Sequence, residues 1–133
     1  MVKKSLLIIL LPLVLLLGCG EDTAYKSTTI SSFIDVLKQN GVDGTVEVAM
    51  TDNEDIDYVA TYVISAFTST RILSFFKCRD EASAIKNLND AMQNSKLSGQ
   101  ARNGTIIFAA TFYPPDEKAV GEIRELFLAH EFQ

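Results

Sequence analysis

The spacing of apolar residues along the second part of the chain predicts three amphipathic helices. Apolar side chains recur there at intervals of three and four positions, which places them on one face of an α-helix. The three stripes are Ile30, Phe33, Ile34 and Leu37; Ala82, Ile85, Leu88, Ala91 and Met92; and Val120, Ile123 and Phe127, with His130 on the same face. Asp80 is placed to cap the second helix, and Asp116 lies at the start of the third, after Pro114-Pro115. We expect each helix to bury one side against a common core.

Four other segments have the alternation or the composition of β-strands. Apolar and polar residues alternate at residues 45–50, as in a strand with one buried face. Residues 71–78 and 105–113 carry apolar side chains on both faces, which favours positions inside a sheet. Residues 58–67 fit a helical stripe or a strand, and their β-branched and aromatic content favours a strand over residues 61–67. We expect this strand to form a hairpin with residues 71–78.

This order of helices and strands predicts an α+β fold. The expected structure is a single two-layer domain over residues 28–133, with a mainly antiparallel sheet of three to four strands packed by about three helices. The polar stretch at residues 94–103 is predicted to be a loop. The predicted core consists of Phe33, Ile34, Leu37, Ile72, Phe76, Ile85, Leu88, Ile107, Phe108, Ile123 and Phe127.

The first 18 residues have the pattern of an export signal. Lys3 and Lys4 precede an apolar stretch at residues 6–17 that is interrupted only by Pro12. As a helix, this stretch rises about 18 Å, which is less than the roughly 30 Å of a bilayer core. A signal segment is therefore favoured over a transmembrane helix.

The motif Leu16-Leu17-Gly18-Cys19 at the end of this stretch resembles the lipobox of bacterial lipoproteins. An apolar residue lies three positions before the cysteine, and a small residue lies directly before it. The resemblance implies that the leader is cut between Gly18 and Cys19, and that the Cys19 thiol carries a diacylglycerol. An ordinary secretory leader with a coincidental cysteine is the alternative.

The lipobox resemblance implies three parts of the chain and a location. Residues 1–18 are the expected signal peptide, residues 19–27 are the lipidated cysteine and a polar tether, and residues 28–133 are the domain. Fully extended, residues 20–27 span at most roughly 26–29 Å, so the domain should stay near the bilayer. The implied location is the bacterial cell membrane or outer membrane, with the domain on the extracytoplasmic side. The membrane is the implied partner, through Cys19.

Charge and composition exclude two classes of protein. The whole chain has a formal net charge of −5, with 12 basic and 17 acidic residues. Loss of the leader removes Lys3 and Lys4, so ten basic residues then face 17 acidic ones and the net charge becomes −7. Binding of nucleic acid needs clustered Lys and Arg, which argues against a nucleic-acid partner. Eight Phe, four Tyr and many β-branched residues argue against intrinsic disorder.

Residue types that carry catalysis or hold metals are scarce after the leader. His130 is the one histidine of the chain, and on the last predicted helix it is expected to cover the edge of the core. Cys78 is expected to be buried as a small hydrophobe, although Lys77 and Arg79 would lower its pKa if it were exposed. A nucleophile–base pair would need His130 beside Cys78 or beside a serine. We predict no catalytic residues, no metal site and no cofactor.

An acidic loop at residues 51–57 leaves divalent-cation binding open. Asp52, Glu54, Asp55 and Asp57 offer oxygen ligands, but the loop lacks the glycine and the final glutamate of an EF-hand. A solvated loop is expected, and weak divalent-cation binding is the alternative.

These features together predict a lipid-anchored envelope protein that is not an enzyme and that binds another envelope protein or component. The alternative is a small-ligand or divalent-cation binding accessory protein. That function requires a concave pocket lined by some of Tyr58, Tyr62, Phe75 and Tyr113. A Cys78- or His130-dependent enzyme is a further alternative.

Overall fold

Three helices and five strands lie in the part of the chain that the computed structural model describes, which is residues 28–64 and 68–132. In chain order they are α1 (Ser31–Gln39), β1 (Gly44–Ala49), β2 (Ile56–Ile64), β3 (Thr70–Cys78), α2 (Glu81–Met92), β4 (Ser98–Asn103), β5 (Ile106–Tyr113) and α3 (Glu117–Ala129). The predicted α+β class, with three helices packed on an antiparallel sheet, is confirmed for these residues.

The described strands form a five-stranded antiparallel sheet in the order β1-β2-β3-β5-β4. β3 lies at its centre, because Leu73 is opposite Tyr62 of β2 on one side and opposite Ala110 of β5 on the other. The antiparallel pairing of β2 with β3 agrees with the predicted hairpin. The inner positions of β3 and β5 explain why both strands carry apolar side chains on both faces.

β4 makes the sheet larger than the predicted three to four strands, and it lies where the sequence predicts a loop. The strand is largely polar, and Ala101 is its one buried residue. It lies at the edge of the sheet, hydrogen-bonded to β5 and in contact with α3. Gly99 has a φ of +65°, and a Cβ at that position would lie 2.5 Å from Cγ1 of Val120. β4 is therefore held in the sheet by β5 and α3 rather than by its own side chains. For this reason, no periodicity in the sequence indicates the strand.

β2 resolves the ambiguous segment in favour of a strand, with bounds that differ from the prediction. It runs over Ile56–Ile64 instead of residues 61–67, and residues 65–67 lie outside the described part. β2 is paired with β1 and with β3, and Ala60 and Tyr62 are buried on one of its faces. Two strand neighbours use the backbone hydrogen-bonding groups of both edges, so a strand is favoured over a helix.

α1 and α3 pack on the face of the sheet that carries Phe75 and Phe108, called the front face below. The ring of Phe33 on α1 lies 5.6 Å from that of Phe75 and 5.7 Å from that of Phe127 on α3. The Phe108 and Phe127 rings lie 5.5 Å apart. The predicted stripes of the first and third helices are confirmed as buried: Ile30, Phe33, Ile34, Leu37, Val120, Ile123 and Phe127.

α2 packs on the opposite face, called the back face, where it covers Cys78. Its buried residues are Ser83 and Ala84, whereas Ile85 is 46% exposed and Met92 is 59% exposed. The predicted buried stripe of Ala82, Ile85, Leu88, Ala91 and Met92 is therefore wrong for Ala82, Ile85 and Met92, which are exposed, whereas Leu88 and Ala91 are half-buried.

Polar contacts accompany this orientation of α2. The Asp80 carboxylate accepts a hydrogen bond from the Ser83 backbone N–H at 2.8 Å, which caps the helix as predicted. The Ser83 hydroxyl and the Lys86 ammonium each lie 3.4 Å from carboxylate oxygens of Asp55. These contacts are made on the side of α2 that also carries Ala84 against the sheet, whereas Ile85 lies on another side of the helix and is exposed.

The remaining core prediction holds outside α2. Phe33, Ile34, Leu37, Ile107, Phe108, Ile123 and Phe127 are buried, and Ile72, Phe76 and Leu88 are half-buried. Ile85 is the predicted core residue that the structure places at the surface, for the reason given above.

Candidate functional site

An open groove lies on the front face between the C-terminal end of α1, the end of β2 and the outer side of α3. Its cavity volume is about 460 Å³, and we call it the α1–α3 groove. Its floor is apolar and consists of Val42, Ile64, Phe112, Ile123 and Leu126. A cavity of this size is typical of small-ligand and peptide sites.

The one arginine that lines the groove is already engaged by two neighbours. The guanidinium of Arg71 lies 3.2 Å from a carboxylate oxygen of Asp116, the N-cap residue of α3. It also lies over the Phe112 ring, 5.2 Å from the ring centroid, within the range of a cation–π contact. These two contacts hold Arg71 in place and offset its charge.

The groove is also lined by two glutamates and by the amide of Asn40. Glu122 and Glu125 lie three positions apart on α3, and neither carboxylate has an ion pair with a described residue. The Asn40 side chain donates to the Val36 carbonyl at 2.8 Å through its nitrogen, which leaves its oxygen available as an acceptor. The side of the groove formed by α3 therefore carries two carboxylates without an ion pair among the described residues.

His130 lies just beyond α3 rather than on its helical face, because it is the C-cap residue with extended backbone angles. Its ring packs against Phe33 and Phe132, with centroid distances of 5.5 Å and 4.6 Å, and it covers the edge of the core. Its Nε2 atom lies 2.8 Å from the hydroxyl oxygen of Ser32 on α1. The two residues line a second cavity of about 430 Å³.

The Ser32–His130 contact has the distance of a nucleophile–base pair, but not the further parts of such a site. Catalysis of this kind needs a third group that orients the imidazole through its other nitrogen. No described residue forms a hydrogen bond with Nδ1 of His130. Cys78 does not approach this histidine either, because it lies beneath α2 on the back face. The contact instead joins the start of α1 to the end of α3.

Cys78 is completely buried, and this changes the chemistry of its thiol. Burial raises the pKa of the thiol above its ordinary value, and this effect is larger than the opposing effect of Lys77. The carboxylates of Asp55, Asp57 and Asp80 act in the same direction as burial. The thiol is therefore protonated and unreactive at neutral pH.

We expect Cys78 in a Cys19→Ser background to react with a thiol reagent orders of magnitude more slowly in the folded chain than in urea. Because the folded state favours the protonated thiol, Cys78 contributes stability that is fully present below about pH 8.5 and declines as the pH rises through the raised pKa. Urea titrations between pH 7 and pH 10 measure this decline, and a Cys78→Ala variant should lack it. Equal labelling rates in buffer and in urea would contradict the burial of the thiol.

Two carboxylates of the acidic loop are committed to ion pairs. Asp55 lies 3.3 Å from Arg79 and 3.4 Å from Lys86, and Asp57 lies 3.2 Å from Lys77. Over residues 28–64 and 68–132, no group of three or more His, Cys, Asp or Glu side chains is arranged to hold a metal ion. The loop connects β1 and β2 to the start of α2 rather than forming a ligand cage.

The aromatic residues predicted to line a ligand pocket are not brought together around the groove. Tyr62 and Phe75 are buried in the core, and the Tyr62 hydroxyl donates to the Val42 carbonyl at 2.6 Å. Tyr113 is exposed, and the buried hydroxyl of Tyr58 has no hydrogen-bond partner among the described residues. Sequence reasoning missed the groove residues Arg71, Phe112, Glu122 and Glu125, because they come from three separate elements.

The predicted lipidation and cleavage residues, Cys19 and Gly18, lie outside the described residues. Within the described ranges, none of the helices has the length and the apolarity that are needed to cross a bilayer.

The chain matches no protein-family model, no curated protein and no solved structure.

Proposed function

We propose that this chain is a lipid-anchored, non-catalytic protein of the bacterial envelope that binds a partner protein through the α1–α3 groove. The observation that carries the proposal is the groove itself, with its apolar floor and polar rim. Protein-binding surfaces commonly combine an apolar centre that excludes water with polar groups around it. The ion pair of Arg71 with Asp116 supports a preformed site, because it holds one wall in place before a partner arrives.

The proposed membrane anchor rests on the lipobox motif, and it would place the groove near the membrane surface. Acyl chains on Cys19 hold a protein at a membrane, at about 0.8 kcal/mol for each buried CH₂ group. The short tether at residues 20–27 keeps the domain close to the bilayer, where its partner would be another envelope component.

Site-specific photo-crosslinking in intact cells tests this function. A photoreactive amino acid at Glu125, on the groove rim, should give a crosslink to a defined envelope protein. The same amino acid at Asn89, which is exposed on α2 at the back face, is the matched control and should not give that crosslink. Leu126→Asp places a charge in the groove floor, and it should abolish the crosslink while circular dichroism stays unchanged. Equal crosslinking from both positions, or none from Glu125, would rule out the groove as the binding site.

The non-catalytic part of the proposal is tested on the residues nearest to catalytic geometry. A Ser32→Ala, His130→Gln variant should keep the crosslink from Glu125 and the envelope location, since it removes one exposed hydrogen bond. Adding Cys78→Ser should change neither result. Loss of biological activity with the fold and the crosslink intact would overturn the non-catalytic function.

A small-ligand accessory function is the second candidate, because the groove volume also fits a small molecule. Native mass spectrometry of the protein purified from its own membrane separates the two. A bound small molecule that is lost on Leu126→Asp substitution would favour the second candidate.

A further inference from the structure

We infer that the α1–α3 groove recognises a Lys or Arg side chain of its partner polypeptide, with the charged head at Glu122 and Glu125 and the aliphatic stem on the apolar floor. This inference rests on the proposed function, because it names the chemistry of the partner at the same site.

The first argument is the charge of the rim. Glu122 and Glu125 line the groove and are exposed, and neither is paired with a cation among the described residues. Among the described residues that line the groove, Arg71 is the one cation, and its charge is offset by Asp116 at 3.2 Å. An acidic occupant would be repelled by both carboxylates, whereas a cation would give them charge-assisted hydrogen bonds.

The second argument is the direction of α1. Its C-terminal end meets the groove at Asn40 and Gly41, and the C-terminal end of a helix carries partial negative charge. The side-chain oxygen of Asn40 adds a further acceptor, because the Asn40 nitrogen is the atom that donates to Val36. The basic residue in the last turn of α1, Lys38, does not line the groove. The partial negative charge of this helix end and the Asn40 oxygen act in the same direction as the two glutamates, while the charge of Lys38 acts against them.

The third argument is the combination of an apolar floor with an acidic edge. Val42, Ile64 and Leu126 offer aliphatic surface directly beside the carboxylates. Lys and Arg have this same combination, since each buries an aliphatic stem while its charged head stays in a polar setting. Glu122 and Glu125, at positions i and i+3, are separated by about 4.5 Å along the helix axis, which allows one guanidinium or ammonium to reach both.

Arg-containing and matched neutral peptides test the inference directly. The purified full chain is placed in phosphatidylcholine nanodiscs and titrated into fluorescein-labelled peptides with the sequence Leu-Arg-Leu or Leu-citrulline-Leu, and anisotropy is measured. Citrulline has nearly the shape of arginine but no charge. We expect the arginine peptide to bind about tenfold more tightly, and we expect added salt to reduce this difference.

Two double variants with the same change in net charge provide the control. Glu122→Gln with Glu125→Gln should weaken binding of the arginine peptide about tenfold and leave the citrulline peptide unaffected. Glu117→Gln with Glu131→Gln changes two exposed carboxylates outside the groove, and should leave both peptides unaffected. Equal binding of the two peptides, equal effects of the two double variants, or no binding of either peptide would overturn the inference.

The photo-crosslinking experiment separates failure of this inference from failure of the proposed function. A groove crosslink to a partner segment without Lys or Arg would leave the binding function intact and reject the basic side chain. Absence of any groove crosslink would reject the function itself.

Discussion

Replacement of Phe108 by Ala is expected to lower the free energy of unfolding by about 3–5 kcal/mol. Phe108 is completely buried on β5, and its ring lies 5.6 Å from that of Phe75 and 5.5 Å from that of Phe127. It therefore joins the centre of the sheet to α3, and its removal leaves a cavity between them. The loss is a large share of the roughly 5–15 kcal/mol that stabilises a domain. Urea unfolding followed by circular dichroism measures it.

Tyr113→Ala is the matched control for this prediction. Tyr113 is an aromatic residue on the same strand, but it is 75% exposed. Its replacement should change the free energy of unfolding by no more than about 0.5 kcal/mol. A Phe108→Ala variant with the same unfolding midpoint as the parent would contradict the core described here.

Replacement of Cys19 by Ser is expected to abolish attachment of lipid and to block removal of the leader. Serine lacks the thiol that receives the lipid in the lipoproteins that the leader resembles, so the variant should take up no labelled fatty acid and should keep its leader. Lys3 and Lys4 and the apolar stretch at residues 6–17 are unchanged, so export itself should still begin. Fatty-acid labelling and mass spectrometry of the membrane fraction measure both effects.

Cys78→Ala is the matched control for the lipid prediction. It removes the other cysteine of the chain and should leave lipid labelling and leader removal unchanged. When another export signal replaces residues 1–18, the Cys19→Ser body should be released from the membrane. An unmodified Cys19, or an intact leader beginning at Met1, on the purified membrane-bound parent would reject the anchor.

Local patterns of apolar residues predicted the burial of two helices, α1 and α3, and of two strands, β3 and β5. α1 and α3 bury the stripes that their spacing indicates, including Phe33 and Phe127, because each helix has one core to face. β3 and β5 carry apolar residues on both faces and lie inside the sheet, as predicted. In these elements the spacing of apolar side chains along the chain indicates which surfaces are buried.

The same reasoning failed where contacts with distant residues outweigh local pattern. The apolar stripe of α2 includes Ile85 and Met92, yet the side of the helix that faces the sheet carries Ser83 and Ala84, and the Ser83 hydroxyl contacts Asp55. β4 has no apolar alternation and is a strand because β5 and α3 hold it in place. The sequence of α2 does not reveal its contact with Asp55. The sequence of β4 does not reveal that β5 and α3 lie beside it.

The sequence by itself determined the helical stripes of α1 and α3 and the inner positions of β3 and β5, and the proposed membrane anchor rests on a motif that resembles a lipobox. Only the tertiary structure decided that Arg71, Phe112 and Glu122 line one groove, since they come from β3, β5 and α3. Local periodicity reports which side of one element is apolar, because that depends on residues a few positions apart. A groove depends on where separate elements end and how far apart they pack, and no short segment of the chain contains that information.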